Sequence, residues 1–287
     1  MTQSAHQGDL LGSSQGYSSD DFEFIVTMPH SGERVPEQCS WLLGLDEKIL
    51  MCDVDRFIDR IYEPALKQLK IPFHKTEWHR YAVDLNRIPS DIDCDSVQNS
   101  SNSSGQYSRG YHWVVTTQNH RLMKSPMSVH MHEELTQLIY DPFHCGVRKL
   151  YSSGFAKFKN VYHLDAHSMP SRGTSQHRDP GELRADIVVS DSLGKSCSNE
   201  FRDLVIAAYV TAGFRVGYNW PYVGGRVTEQ YGQPLQGQHA IQVELNRMLY
   251  MNEESKCILS QHTDVQIKVE KALGYIKSEL PKLRRQE

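Results

Sequence analysis

From Phe22 onward the chain alternates short apolar runs with longer amphipathic ones, and the two spacings assign different elements. Residues 22–28 are mostly apolar and stop at Pro29, the pattern of a buried strand. Asp46 then offers an N-cap to a helix in which Leu50, Val54, Phe57, Ile58 and Ile61 recur at helical spacing. Residues 71–78 and 81–85 read as strands. Helices follow over 128–140 and from His144, then strands over 161–166 and 185–190. Residues 198–212 form the clearest amphipathic helix, with Phe201, Leu204, Val205, Ala208 and Ala212 on one face and Gly213 just past the end. Strands over 214–218 and 239–245 flank a turn at Gly224 and Gly225. A last helix spans 263–280, with Pro281 as its stop.

Strands alternating with helices predict an α/β fold, a mixed and mostly parallel sheet covered by helices on both faces. No internal repeat or linker divides residues 21–287, so they read as a single domain. Residues 1–20, rich in Ser, Gln and Gly, read as a flexible tail. The polar stretch 90–110, centred on 98–105, has nothing to bury and reads as a long surface loop bordering a binding site.

Composition narrows the function more by exclusion than by indication. A net charge of −4 with no long run of either sign gives no footprint for a nucleic acid. No apolar stretch reaches the roughly 18 residues of a membrane span, and the N-terminus lacks the pattern of a secretory signal. The six cysteines are widely spaced and contain no C-x-x-C pair, which speaks against a thiolate zinc site and for reduced thiols in the cytoplasm.

Four clusters carry chemistry, each where a strand is expected to end, and open α/β sheets place their sites there. His30 and Glu33 form an H-x-x-E step, two residue types that zinc accepts. Asp165 and His167 lie two apart on a strand and share a face, so Asp165 can orient the imidazole. Arg80 leads into a run ending in Asn86 and Arg87, an amide and a guanidinium suited to gripping a carboxylate. Gln242, Glu244 and Asn246 share one face of another strand, which presents Glu244 as a general base. Taken singly, each has an ordinary structural explanation. Together they supply two histidines and a carboxylate for an open metal site, a second carboxylate as base, and arginines for an anionic substrate.

Six blocks in order carry a resemblance. They are P-H-S-G-E-R-V-P at 29–36, D-V-D-R-F-I-D-R-I-Y at 53–62, R-Y-A-V-D-L-N-R at 80–87, L-D-A-H-S-M-P at 164–170, P-Y-V-G-G-R-V-T at 221–228 and Q-V-E-L-N-R-M-L-Y-M at 242–251. Over residues 22–252 the chain resembles the N-formylglutamate amidohydrolase family, which is similar in turn to the zinc carboxypeptidases and the succinylglutamate desuccinylases. The resemblance implies a zinc-carboxypeptidase-like fold and one Zn2+ per chain on His30, Glu33 and His167. Asp53 or Asp55 stands as the alternative carboxylate ligand, and Asp165 as an orienting group. It implies Asn86 and Arg87 as a clamp for the substrate carboxylate and Glu244 as base.

The mechanism expected on this basis has Glu244 take a proton from the attacking water and pass it to the leaving amine, while zinc and Arg80 hold the oxyanion. A glutamyl substrate has two carboxylates, for which Arg172, Arg184 and Arg226 are the further candidates. The expected reaction converts N-formyl-L-glutamate to formate and L-glutamate, as in histidine breakdown. The partner is then a small anionic acyl-amino acid, with no nucleic acid and no membrane. Two rivals stand beside it: a carboxypeptidase or amidase acting on a peptide or cell-wall fragment, and an inactive ligand-binding protein of the same fold.

Overall fold

The computed structural model describes residues 22–93, 95–100 and 109–283. The expected tail over 1–20 and residues 101–108 of the polar loop lie outside the described residues. The sheet has the order β2-β1-β3-β6-β4-β5, with β1 (Phe24–Met28), β2 (Phe73–Lys75), β3 (Val161–Met169), β4 (Ile187–Ser190), β5 (Val216–Tyr218) and β6 (Gln238–Asn246). The first four strands in that order run parallel. β4 and β5 are parallel to each other and antiparallel to β6, so the sheet is mixed as expected.

The helices are α1 (Glu47–Leu50), α2 (Ile58–Gln68), α3 (Val129–Leu135), α4 (Asp141–Phe155), α5 (Asn199–Thr211), α6 (Arg226–Tyr231) and α7 (His262–Leu283). The two faces of the central strands do different work because side chains alternate. One face is mostly apolar: Val26, Met28, Leu164, Ala166, Val243 and Leu245 pack under α2, α5 and α7. The other face is apolar only near the start of the strands, where Ile25, Val161 and Ala240 join a second core with α4 and α6. Toward the strand ends it becomes polar, with Thr27, Asp165, His167, Gln242 and Glu244 buried there. Burying that many polar groups on one face requires that they bond to one another or to a ligand.

Local signals hold where tertiary demands leave them alone. α5 starts on the Ser198 cap and closes at Ala212, followed by Gly213 at φ 89°. The expected stop at Pro281 does not hold: α7 runs through it to Leu283. α3 passes into α4 through a π-helical turn over Thr136–Tyr140, so the two expected helices are one rod.

Two further expectations differ. The helix expected from Asp46 does begin there, with the Asp46 carboxylate accepting from Lys48 N at 2.8 Å, but it stops at Leu50. Residues 51–57 leave the helical path, and Phe57 takes the left-handed region at φ 68° before α2 begins. Asp53 and Asp55 lie in that break, and their carboxylates are bound by groups a continuous helix could not meet. The segment 81–85 is buried but forms no strand. Its backbone instead bonds the 111–113 segment, with Asp84 N donating to Tyr111 O at 2.8 Å.

Gly32, two residues past His30, lets the 29–34 turn press against the chain leaving β2. A Cβ there would stand 2.4 Å from the backbone carbon of Glu77 and 2.5 Å from Trp78 N. Because the obstacle is backbone, Gly32→Ala is expected to destabilise the fold by about 3 kcal/mol, checked by chemical denaturation; an unchanged midpoint would show that the turn has room to move.

Candidate metal centre

His30 directly follows β1, His167 lies near the end of β3, and Asp55 sits in the break between α1 and α2. They come from sequence positions far apart and meet at the carboxyl ends of the parallel strands. A backbone bond from Asp55 N to His30 O, 3.0 Å long, ties two of the segments together. One ligating atom from each of His30, Asp55 and His167 lies within 4.8 Å of the other two, all three residues buried.

Each imidazole is fixed from behind by a carboxylate. His30 donates from Nε2 to Asp84 Oδ1 at 2.7 Å, and His167 donates from Nε2 to Asp165 Oδ2 at 2.7 Å. That leaves the two Nδ1 atoms facing Asp55 Oδ2, at 3.6 Å from His30 and 3.0 Å from His167. His30 Nδ1 is buried and has no hydrogen-bond partner. Asp55 is held by its other oxygen: Oδ1 accepts from Arg247 Nη2 at 3.1 Å and from Ser168 Oγ at 3.3 Å. Three donors so aimed fit a metal ion. Tetrahedral ligands at zinc bond lengths stand about 3.4 Å apart, and the observed separations bracket that value. Anchoring the far nitrogen of a ligating histidine on a carboxylate is the usual way to set its tautomer and direction.

The electrostatics agree with the geometry. Burial works against the charge on Asp55, yet His167 and His30 beside it hold its carboxyl well below the usual range. Burial also opposes ionisation of Asp84, and the His30 and Arg80 charges overcome it. Burial would lower His167, but Asp165 and Asp55 raise it well above its ordinary value. Two acidic groups thus converge on one imidazole, the field a cation at that place would feel.

Glu244 pairs in register with His167 on the neighbouring strand, so the two side chains stand side by side on the polar face. Its Oε1 accepts from Gln242 Nε2 at 2.8 Å. Burial raises its proton affinity, with His167 opposing and Asp55 adding.

The other residues singled out in the sequence are placed as follows. Glu33 is not brought to the cluster. Its Oε1 accepts from Arg56 Nε at 3.1 Å on a half-exposed turn, and Asp55 occupies the position expected of it. Asp53 is nearby but committed, accepting from Tyr81 Oη at 2.7 Å and from Thr117 N at 3.2 Å. Arg80 donates to Asp84 Oδ2 and to Asp53 O, each at 2.9 Å, so it positions the acid behind His30 instead of pointing at an oxyanion. Asn86 receives Val227 N at 2.8 Å and reaches Gln242 Oε1 at 3.5 Å. Arg87 donates to the carbonyls of Arg109 and Asn86 at 2.7 and 2.6 Å. The pair expected as a clamp therefore braces the backbone around the site. Arg226 is paired with Asp91 at 2.6 and 2.8 Å, and Arg184 with Asp179 at 2.7 and 2.8 Å. Arg172 is exposed and donates from Nη1 to Gly181 O at 2.8 Å.

Sequence reasoning passed over Asp84, Arg247 and Ser168 as site residues. Asp84 carried a signal, since a carboxylate inside the apolar run 81–85 must find a partner once buried. Arg247 and Ser168 had none, because their contacts are made across the fold.

The sequence pattern of the N-formylglutamate amidohydrolase family matches residues 22–251, and the chain belongs to that family. It is 29% identical over 234 residues to the N-formylglutamate deformylase of Pseudomonas aeruginosa, covering 80% of this chain and 83% of that one. The N-formylglutamate deformylase of Pseudomonas putida is 27% identical over 80% of this chain and 82% of its own. In fold the chain is similar to the crystallised N-formylglutamate amidohydrolase of Ralstonia eutropha JMP134, with a TM-score of 0.82 at 22% identity, covering 94% of this chain and 97% of that one.

The geometry separates the two candidate acids. Asp55→Asn is expected to weaken divalent-metal binding about 100-fold or more, whereas Glu33→Ala leaves it within a few-fold of the parent. Metal content after dialysis, read by atomic absorption, distinguishes them; metal lost from the Glu33 variant and kept in the Asp55 variant would reverse the assignment.

Proposed function

We propose that this member of the N-formylglutamate amidohydrolase family holds one zinc ion on His30, Asp55 and His167 and hydrolyses N-formyl-L-glutamate to formate and L-glutamate. The observation that carries the reading is the placement of Glu244 beside His167, next to three donors whose far sides are all anchored. The acyl group is the small anionic partner's reactive end, and the compartment we assign is the cytoplasm.

His30, Asp55 and His167 would hold the zinc, which when bound would lower the pKa of water to about 7 and polarise the carbonyl. Around it the chain's own groups move the protons. Glu244 Oε1 accepts from Gln242 at 2.8 Å, and Oε2 is assigned as the oxygen that moves the proton. This oxygen takes a proton from the water as its oxygen attacks the formyl carbon. It then returns the proton to the amide nitrogen as the C–N bond breaks. The formic acid released gives up its proton and the free amine takes one, so charge and atoms balance.

For one of the substrate's carboxylates we assign Arg172, which retains guanidinium donors beyond the single bond to Gly181 O. It stands just past the end of β3, on a strap formed by the Arg172–Leu183 and Gly173–Pro180 bridges. Thr174 of that strap donates to Thr117 O at 3.2 Å, and Thr117 binds Asp53, which ties the strap to the site. Arg80, Arg184 and Arg226 are each committed to a carboxylate and contribute by holding it in place.

Two measurements test the reading. Glu244→Gln is expected to lower kcat by about 10³-fold while zinc content stays at the parent level; full activity in that variant would remove Glu244 as the base. Arg172→Ala is expected to raise KM for N-formyl-L-glutamate by about tenfold with kcat little changed. An equal KM, or faster turnover of acylated dipeptides than of N-formyl-L-glutamate by the parent enzyme, would assign the substrate elsewhere.

A further inference from the structure

Behind Asp165 the polar face continues into the apolar interior, where the metal and the proposed chemistry have no direct use for it. Thr27 sits opposite Asp165 in the register of β1 and β3, and His163 lies one alternation earlier on β3. Thr27, His163 and Asp165 are fully buried, and Tyr151 of α4 is nearly so. Thr27 Oγ1 is 2.6 Å from Asp165 Oδ1 and 2.7 Å from His163 Nε2, and Tyr151 Oη is 3.1 Å from His163 Nδ1.

The donors can be assigned from valence alone. An ionised carboxylate only accepts, so Thr27 must give its one hydroxyl proton to Asp165. Its oxygen is then an acceptor for His163, whose Nε2 must carry a proton. Burial keeps that ring neutral, with its pKa pushed down to about 4, so Nδ1 is a lone pair and accepts from the Tyr151 hydroxyl. Every bond points the same way: Tyr151 to His163, His163 to Thr27, Thr27 to Asp165. His167 donates to the remaining oxygen of that carboxylate from the other side. Aligned bonds in a chain polarise one another in a low-dielectric interior. Ile25, Val147, Val161 and Ala240 belong to the core on this face, and an apolar pair at Thr27 and His163 would fill such space without the cost of burying polar groups.

We infer that Thr27, His163 and Tyr151 are positioning residues that set the direction of His167 through this one-way chain into Asp165, and so tune metal affinity across as many as four hydrogen bonds. The inference rests on the reading of His30, Asp55 and His167 as the metal site. Without the Thr27 proton, Asp165 Oδ1 loses its donor and His163 its acceptor, and the carboxylate is no longer held where it aims His167 Nδ1 at the ion.

The test is zinc affinity, measured on the full-length protein by competition with a chromophoric chelator, with melting of the metal-free protein as the control for folding. Thr27→Val keeps the shape and removes the hydroxyl, and is expected to weaken zinc binding about tenfold. Thr27→Ser restores the hydroxyl and is expected to bind within about twofold of the parent. Tyr151→Phe removes only the far donor and is expected to weaken binding about threefold. KM for N-formyl-L-glutamate at saturating zinc should not move, since none of the three touches substrate. Parent-like affinity in Thr27→Val, or equal weakening in the Val and Ser variants, overturns the chain. If Thr27→Val does not fold, unchanged affinity in Tyr151→Phe overturns it. A parent protein that binds no zinc instead brings down the metal reading itself, which the same titration shows separately.

Discussion

Two imidazoles stripped of water and held by carboxylates are the constraint around which the rest is arranged. A buried histidine without a fixed partner can turn its ring or change tautomer, and a metal site needs neither. Here Asp84 and Asp165 each take one Nε2 proton, and the opposite nitrogens are thereby committed to a common point. Asp55 completes that point because Arg247 and Ser168 occupy its other oxygen. Removing any one anchor would leave a charge buried without its counterpart, a more damaging event than the loss of a surface pair.

The charge balance follows from the same arrangement. Asp55, Asp84 and Asp165 are all held ionised, and the guanidinium groups that meet them are those of Arg80 and Arg247. The excess is negative before Glu244 is counted. In an interior of low dielectric such an excess must be met by protonated imidazoles or by a bound cation. Asp165 and Asp55 raise the proton affinity of His167 in this way, while that of Glu244 is raised first by its burial. A divalent ion would supply the same compensation with two charges and a fixed geometry.

The site also explains where the local rules of the chain give way. The apolar spacing after Asp46 favours a continuous helix, yet the chain breaks over 51–57 and adopts a left-handed turn at Phe57. The break carries Asp53 and Asp55 to the strand ends, where Tyr81, Thr117, Arg247 and the histidines receive them. Likewise 81–85 gives up strand pairing so that Asp84 can serve His30, Arg80 and the Trp113 indole together. Departures from local preference at functional positions are the expected signature of a site imposed on a fold.

How much of this could be read without coordinates is a matter of range. Short apolar runs and helical spacing mark β1, β3, β6 and α5 because those signals are local, and each element can be recognised from its own residues. The ordered blocks likewise mark His30, His167 and Glu244, since polar residues at or near the end of an apolar strand fall at the edge of the sheet where sites are built. The choice of Asp55 over Glu33, and the diversion of Arg80, Asn86 and Arg87 into bracing, could not be read that way. Those outcomes depend on which groups meet across the fold, and a carboxylate's partner is set by distance in space, which the order of residues along the chain does not encode.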